Sequence, residues 1–200
     1  RGQVSAESFV RQGVTTIMTG NCGGSEADIG KFINNTNKKG WPCNVATYIG
    51  SNTLRAAVGV PDIYSGATDA QIVEMCKLAE QAMKDGALGV SFGTEYEPGQ
   101  RYEEIEALAK VAAKYHGHIA SHVRLGVPDG PFTCVDSINE VIKAAKVAGC
   151  PLQVSHIASM AANIMPASLQ AIADGRADGV DVTAASRDDP TPKLRPATRM

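Results

Sequence analysis

Short apolar runs that are typical of buried β-strands alternate with helical patterns along most of the chain. The strand-like runs are Thr15–Gly20, Asn44–Gly50, Ala87–Gly93, His118–Arg124, Pro151–Ile157 and Gly179–Thr183. They are continuously apolar or small, as expected for strands that are covered on both faces. Strands that alternate with helices are usually parallel, and binding and catalytic residues gather at their carboxyl ends. The alternation therefore predicts an α/β fold around a parallel sheet.

Capping residues and glycines mark where the predicted helices begin and end. Capping boxes are expected at Thr68 with Gln71 and at Ser137 with Glu140, because each pair can satisfy backbone amides of a first helical turn. Pro166 fits the first turn of a last helix. The predicted helices end near Gly13, Gly86, Gly117, Gly149 and Gly175.

The number of strands bears on the architecture. A closed (β/α)8 barrel takes eight strands and usually about 250 residues, whereas this chain has 200 residues and six strand-like runs. It fits either an open doubly wound sheet or an incomplete barrel that lacks its first and last strands. The candidate ligands described below favour a TIM-type barrel of about six βα units, because only a ring brings the ends of such distant strands around one point.

The composition excludes several classes of protein. Hydrophobic residues make up 44% of the chain and the formal net charge is −2, so neither nucleic acid nor an anionic membrane is an expected partner. No apolar run approaches the roughly 20 residues of a membrane span. The five cysteines are odd in number and lack CxxC pairing, which disfavours a secreted disulfide scaffold and predicts a cytoplasmic location.

Cys22 is the first of three candidate metal ligands that follow strand-like runs. It lies in Gly20-Asn-Cys-Gly-Gly-Ser25, where the glycines permit positive φ and close approach of the backbone. The alternative interpretation of this segment is a tight turn with a buried, inert cysteine.

His122 and His156 are the other two candidates. Each follows a serine at the same place in consecutive runs, Ala-Ser-His122 and Val-Ser-His156. One thiolate and two imidazoles that converge would make an open zinc-type site. The alternative is a pair of hydrogen-bonded polar residues at the mouth of the barrel.

The segment from Gly93 to Gly99 opens onto the same predicted face. Its residues Glu95, Tyr96 and Glu97 could bind a substrate or support a metal ligand, although the segment also ends in Pro-Gly, a plain turn signal.

Further polar residues lie at the two ends of the next strand-like run. Arg124 stands two residues after His122 and is expected on the same side of its strand, where it could pair with a substrate carboxylate or simply with a glutamate of the preceding loop. His116 and His118 flank the turn before this run, at the opposite end of the barrel, and are interpreted as structural surface residues.

Seven motifs follow one another in a specific order over about residues 5 to 183. They are Gly13-Val-Thr-Thr-Ile, Gly20-Asn-Cys-Gly, Asn52-Thr-Leu-Arg55, Gly86-Ala-Leu-Gly-Val-Ser-Phe-Gly, Glu95-Tyr-Glu-Pro-Gly99, Ser121-His-Val-Arg124 and Val154-Ser-His-Ile157. As an ordered set they resemble the D-aminoacylase (N-acyl-D-amino-acid deacylase) branch of the amidohydrolase superfamily. The resemblance implies a metal-dependent amidohydrolase on a (β/α)8 barrel.

The resemblance also implies roles for individual residues. In that family a strand-end cysteine takes the bridging position that a carboxylated lysine fills in many relatives. Carried over, Cys22 is that ligand, and His122 and His156 complete a tightly held Zn2+. The metal would lower the pKa of a bound water and polarise the amide carbonyl of a small N-acylated substrate. Tyr96 matches a tyrosine associated with the substrate carboxylate, and Arg124 and Glu95 are further candidate substrate-binding residues.

The chain also departs from the family pattern. The His-x-His pair of the family's first strand is expected before residue 1, and the catalytic aspartate that serves as general base is expected beyond the chain. Ala158 stands where family members often carry a lysine that binds the substrate carboxylate. We therefore expect negligible amidase activity from these 200 residues alone.

The end of the chain is unusual in composition. Residues 184–200 contain three prolines and four basic residues with almost nothing to bury, so they are interpreted as disordered or out of frame. Translation of the coding DNA in the other two frames would test this. Residues 1–183 are then the central part of a zinc-dependent hydrolase. The alternatives are a non-catalytic incomplete barrel from a broken gene and a metal-free α/β binding protein.

Overall fold

The protein is built from parallel strands joined by helices. The computed structural model describes residues 7–126 and 130–185. Its strands are β1 (Thr16–Thr19), β2 (Asn44–Thr47), β3 (Ile49–Gly50), β4 (Gly89–Gly93), β5 (His118–His122), β6 (Leu152–Val154) and β7 (Val182–Ala184). Its helices are α1 (Glu7–Arg11), α2 (Ile29–Lys39), α3 (Ser51–Ala57), α4 (Asp69–Lys84), α5 (Tyr102–Lys114), α6 (Cys134–Ala148), α7 (Ile157–Ala161) and α8 (Met165–Ala177). The predicted α/β class with a parallel sheet is confirmed.

The strands lie side by side in the order in which they occur in the sequence. Strand β1 pairs with β2, and β3 to β7 pair in succession, always in parallel. Only Tyr48 separates β2 from β3, so the two strands form one nearly continuous stretch. Strand β4 pairs with β3, and Leu88, just before β4, donates its N–H to Thr47 O of β2 at 2.9 Å. A doubly wound sheet has a point where the strand order reverses, and the described strands have none.

Alternation along the strands gives the sheet two different faces. One register position carries large apolar residues: Ile49, Val90, Ile119, Leu152 and Val182. The next position carries small or polar residues: Gly50, Ser91, Ala120, Gln153 and Thr183. The apolar row shares one core with buried helix residues such as Leu108 of α5 and Ile138 of α6. Because side chains repeat every second residue, His118, Ala120 and His122 of β5 share the small and polar face.

Helix α6 begins one turn earlier than predicted. Its N-cap is Thr133, which accepts a hydrogen bond from Asp136 N, so the capping box is Thr133 with Asp136 and the predicted box at Ser137 is wrong. Ser137 lies inside the helix, fully buried, and its hydroxyl donates to Arg124 O at 3.0 Å. Both pairs have suitable spacing, and the burial of Ser137 against the preceding loop decides between them.

Helix α8 continues past its predicted end. Gly175 lies within the helix, where a Cβ atom would meet Ile142 side-chain atoms at 3.0 and 3.1 Å. The glycine therefore allows α6 and α8 to pack closely, and it does not close the helix. The turn into β7 is instead made by Gly179, whose φ is +86°.

Three helices were not predicted from the sequence: α2, α3 and the five-residue α7, which begins at the last residue of the predicted strand run Pro151–Ile157. Helix α2 is polar and buries only Ile29, although Asp28 caps it by accepting from Lys31 N at 2.8 Å. Helix α3 starts directly after β3 with no side-chain cap. A helix with a narrow apolar face shows little apolar periodicity, and a helix without a capping side chain lacks the usual start signal.

The strands near the carboxyl end of the chain differ slightly from the predicted runs. Strand β5 ends at His122 and β6 at Val154, so Arg124 and His156 both lie beyond their strands. Strand β7 extends through Ala184, one residue into the predicted tail, and residues 186–200 lie outside the described part of the chain. Within the described residues, no helix combines the length and the apolar character needed to cross a bilayer.

Candidate metal centre

Cys22, His122 and His156 converge at the carboxyl ends of the strands. One ligand atom from each lies within 4.8 Å of the other two. Cys22 Sγ is 3.1 Å from His156 Nε2, and the two imidazole rings are 4.9 Å apart between centroids. These residues come from the loop after β1, the last position of β5 and the loop after β6. The structure therefore brings all three predicted ligands together.

The two histidines are not equivalent in the sheet, contrary to the expectation from their shared Ser-His motif. Ser121 pairs with Val154, which places His156 one residue further along than His122. A shift of one residue would turn the side chain to the opposite face of a regular strand. His156 instead leaves the strand with a left-handed backbone at φ 58°. Cys22 takes the same conformation at φ 59°. Local backbone turns thus aim two of the three ligands.

Glycines allow the Cys22 loop to lie directly on the ends of β3 and β4. A Cβ atom on Gly93 would lie 2.1 Å from Cys22 O, and one on Gly50 would lie 2.1 Å from Gly23 O. A Cβ atom on Gly23, whose φ is +80°, would lie 2.6 Å from Gly93 N. Three separate glycines are therefore required for this close approach.

Hydrogen bonds hold the loop in this position. The buried Ser91 hydroxyl accepts from Gly23 N at 3.1 Å and donates to Gly20 O. Asn52 N donates to Gly23 O at 2.9 Å, and the Asn52 amide donates to Gly93 O at 3.3 Å. Sequence reasoning assigned no role to Ser91 or Asn52, although both stand in the family-like motifs.

Glu95 and Tyr96 lie beside His122. The Glu95 carboxylate Oε2 contacts His122 Nε2 off the direction of a hydrogen bond, so this buried nitrogen has no hydrogen-bond partner among the described residues. The Tyr96 hydroxyl lies 3.4 Å from His122 Nδ1. Tyr96 is 52% exposed. Partial burial raises the pKa of its phenol, and the nearby Cys22 and Glu95 raise it further. Both predicted residues thus border the cluster.

Arg124 is engaged by the protein itself. Its Nε donates to Glu140 Oε2 at 2.8 Å and its Nη1 donates to Pro98 O at 2.7 Å, while Nη2 donates to Gln100 O and to Glu140 Oε1. The expected pairing with Glu95 or Glu97 is wrong, because helix α6 brings Glu140 to the guanidinium. Substrate binding by Arg124 stays a prediction.

A buried ion-pair network fixes the segment that carries Glu95 and Tyr96. Arg55 of α3 is 1% exposed; its Nη1 donates to Glu104 at 2.5 Å, and its Nε donates to Glu97. Glu104 also accepts from the backbone of Ala67 at 3.0 Å and of Arg101 at 2.9 Å. Burial raises the pKa of Glu97, and the guanidinium of Arg55 opposes that rise. The sequence carries no distinctive signal for this network, because charged and polar residues are also frequent elsewhere in α3 and α5.

The donor set fits a zinc-type ion. Bonds of about 2.0–2.3 Å to nitrogen and sulfur place the ligands of a tetrahedral zinc roughly 3.5 Å apart. In this cluster Cys22 Sγ and His156 Nε2 are 3.1 Å apart, and all three ligand atoms lie within 4.8 Å of one another. Burial, followed by the charge of Glu95, raises the pKa of the Cys22 thiol. Both effects favour the protonated thiol, so a bound cation would have to displace that proton.

The other two histidines of the chain, His116 and His118, lie at the opposite end of the sheet. The Tyr48 hydroxyl lies 2.6 Å from His118 Nε2, and His118 is half-buried at the first position of β5. Its neighbour His116 is exposed. The interpretation of both as surface residues therefore holds for His116 and is wrong for His118, because Tyr48 covers its ring.

Proteins of similar sequence share one kind of activity. No protein-family profile matches the chain. The D-aminoacylase of Alcaligenes xylosoxydans xylosoxydans is 31% identical over 172 residues, covering 74% of this chain and 34% of that protein. The N-acyl-D-glutamate deacylase of the same organism is 31% identical over 203 residues, covering 86% and 40%. The chain thus spans well under half the length of these curated relatives.

Two solved structures of similar fold belong to the same group. An N-acyl-D-glutamate deacylase from Bordetella bronchiseptica, complexed with zinc and a phosphonate inhibitor, matches with a TM-score of 0.78 and 27% identity over 90% of this chain and 43% of that one. A D-aminoacylase described as defining a novel subset of amidohydrolases matches with a TM-score of 0.76 and 27% identity over 88% and 42%. These matches confirm the resemblance drawn from the motifs: the chain is a homologue of the D-aminoacylases and the N-acyl-D-glutamate and N-acyl-D-aspartate deacylases.

Proposed function

We propose that residues 1–183 correspond to the central part of a zinc-dependent amidohydrolase barrel. The parent activity would be hydrolysis of the amide bond of N-acyl-D-amino acids or related compounds by a metal-activated water. The convergence of Cys22, His122 and His156 at the carboxyl ends of the strands carries this proposal.

The strand order supports the barrel. Strand β2 lies beside β1, and β4 to β7 each lie beside the preceding strand, with helices packed against them, as in successive βα units of a (β/α)8 barrel. Active sites of such barrels lie at the carboxyl ends of the strands, which is where the three ligands meet.

Zn2+ suits the ligand set. Cys22, His122 and His156 would hold the ion, and a zinc with three protein ligands keeps a position for water. When bound, the metal would supply a water of lowered pKa and would polarise the amide carbonyl. The general base implied by the resemblance is an aspartate outside the matched residues, so these ligands form the metal-holding part of the proposed site.

The substrate would enter beside Tyr96. Its exposed side chain borders the cluster, and its hydroxyl can donate a hydrogen bond to a substrate carboxylate. Arg124 lies behind this segment and holds Pro98 and Gln100 through their carbonyl oxygens. We therefore expect Arg124 to act on the substrate through the position of this loop.

The metal content of the purified protein tests the proposal. We expect one zinc per chain, with loss of zinc in Cys22→Ser and in His156→Ala, because each removes one of three ligands. Cys76→Ser and His116→Ala are matched controls away from the cluster and should retain the metal. Elemental analysis after dialysis measures this, and zinc retained in both ligand variants would contradict the proposed site.

Zinc content also separates one alternative function from the others. A folded wild-type protein without zinc would favour a metal-free α/β binding protein. Bound zinc would fit both the central part of a hydrolase and an incomplete, non-catalytic barrel, and hydrolysis of N-acetyl-D-amino acids at an enzyme-like rate would exclude the second. The cytoplasmic location stays a prediction, supported by five cysteines that are all free thiols.

A further inference from the structure

We propose that Glu95 is a positioning residue of the metal centre. Its carboxylate would accept a hydrogen bond from the Nε2–H of His122 and so present Nδ1 of the same ring to the metal. This inference rests on the proposed function, because it assumes that the cluster binds a metal.

The buried side of the His122 ring needs an acceptor. Nε2 of His122 is buried and has no hydrogen bond among the described residues, and Oε2 of Glu95 contacts it. A buried polar atom without a partner is costly, so such atoms are nearly always satisfied in folded proteins. The Glu95 carboxylate, which contacts this nitrogen, is an acceptor within reach.

The other ring nitrogen lies beside a residue that is partly exposed. Nδ1 of His122 lies 3.4 Å from the hydroxyl of Tyr96, whose side chain is 52% exposed. The ligand atoms that lie within 4.8 Å of one another come from Cys22, His122 and His156, and Glu95 does not join them. A metal-binding histidine usually donates its second N–H to a carboxylate or carbonyl, which fixes the tautomer and the ring. Glu95 is placed for that role.

The chemistry of the substrate argues against direct contact with Glu95. An N-acyl amino acid carries a carboxylate, and a glutamate beside it would repel it. Glu95 is also close enough to Cys22 to raise the pKa of the thiol. A hydrogen bond from an imidazole N–H compensates the negative charge of Glu95, whereas a substrate carboxylate beside Glu95 would add to the repulsion.

The backbone around Glu95 is held firmly enough for a positioning role. The amides of Tyr96 and Glu97 both donate to Gly93 O, at 3.0 and 3.2 Å. Glu97 in turn pairs with the buried Arg55. Glu95 therefore stands in a short turn fixed on both sides.

The first measurement is zinc affinity of the 200-residue chain, by competition with a chromophoric chelator. We expect Glu95→Gln and Glu95→Ala to bind zinc about 10- to 100-fold more weakly than wild type, the range for loss of such supporting carboxylates. Glu103→Gln, on the exposed part of α5, is the matched control and should bind as wild type does. Because glutamine has nearly the same shape as glutamate, Glu95→Gln tests the charge even if the alanine variant folds poorly.

The second measurement identifies the nitrogen that binds the metal. Long-range 1H–15N correlation spectra of the zinc-loaded wild type should show the metal on Nδ1 and the proton on Nε2 of His122. Metal on Nε2, or wild-type zinc affinity in both Glu95 variants, would overturn the role of Glu95 while leaving the metal centre intact. Absence of zinc binding in the wild type would overturn both proposals.

Discussion

Both ends of the sheet carry a tyrosine packed edge-on against a histidine of β5, yet the two pairs have different chemistry. At the carboxyl end, the rings of Tyr96 and His122 are 4.9 Å apart. At the amino end, the rings of Tyr48 and His118 are 5.1 Å apart. The residue types and the packing are alike, so any difference in role must come from the surroundings.

The pair at the amino end is self-contained. Tyr48 is 5% exposed and its hydroxyl lies 2.6 Å from His118 Nε2. Burial raises the pKa of Tyr48 to about 12 and lowers the pKa of His118, so both groups are held neutral. A cavity of about 430 Å3 opens beside them, and the described residues that line it include no cysteine.

At the carboxyl end, the tyrosine is open and the histidine has further neighbours. A thiol and a second imidazole approach His122, and a carboxylate contacts its buried nitrogen. A histidine–tyrosine pair is therefore a packing motif by itself. It becomes a candidate metal site only where loops at the strand ends add further donors.

Of the changes considered, removal of the buried Arg55 guanidinium should have the largest effect on stability at the carboxyl end of the sheet. Arg55→Met leaves Glu97 and Glu104 without their partner, and breaking a buried ion pair typically costs about 3–5 kcal/mol. We expect a loss of this size in the free energy of unfolding, measured by urea denaturation. Lys110→Met breaks an exposed pair with Glu106 and should cost less than about 1 kcal/mol. Equal losses in the two variants would show that this network does not stabilise the site.

A methyl group in the Cys22 loop should have a smaller but local effect. In Gly23→Ala the Cβ atom would lie 2.3 Å from Asn52 Oδ1, at φ +80°. The left-handed backbone alone costs about 1–2 kcal/mol, and the displaced loop should also lose zinc affinity. In Gly24→Ala the added atom meets nothing within 4 Å, so this neighbour is the control. Calorimetry and zinc titration of both variants measure the effect. Tight zinc binding by Gly23→Ala would mean that the loop position does not matter.

The amino end should show the smallest effect, as a dependence of stability on pH. The pKa of His118 is lowered below its usual 6.5 in the folded protein by burial, so the unfolded chain binds the proton more readily. Stability from this residue is present above pH 6.5 and falls as the pH drops through 6.5 towards the lower folded pKa. His118→Gln should flatten the curve of unfolding free energy against pH in this window. The exposed His116→Gln should leave it unchanged, and an identical slope in all three proteins would contradict the assignment.

Local patterns predicted much of the fold. All six strand-like runs contain a strand, because buried parallel strands need nearly continuous apolar or small residues. The capping box at Thr68 with Gln71 is present as predicted. Helices α2, α3 and α7 were missed because α2 is largely polar and α3 and α7 span only seven and five residues, so none of them shows a clear apolar periodicity.

The candidate ligands were found from the sequence, but their mutual geometry was not. Cys22, His122 and His156 stood out as donor residues that follow strands, and topology then predicted a common face. The one-residue offset of His156 and the left-handed turns at Cys22 and His156 depend on backbone packing over long distances in the chain. The network of Arg55, Glu97 and Glu104 could not be predicted either, because its members are far apart in sequence.

The sequence by itself determined the succession of strands and helices along the chain, the positions of the three donors and the kinship of the chain. These properties depend on residue type and on short-range periodicity, which a single chain displays directly. Only the tertiary structure decided which histidine nitrogen is buried, which carboxylate touches it and which arginine is enclosed by carboxylates. Those contacts join residues from different βα units, and the packing of the units against one another sets the distances on which coordination and hydrogen bonding depend.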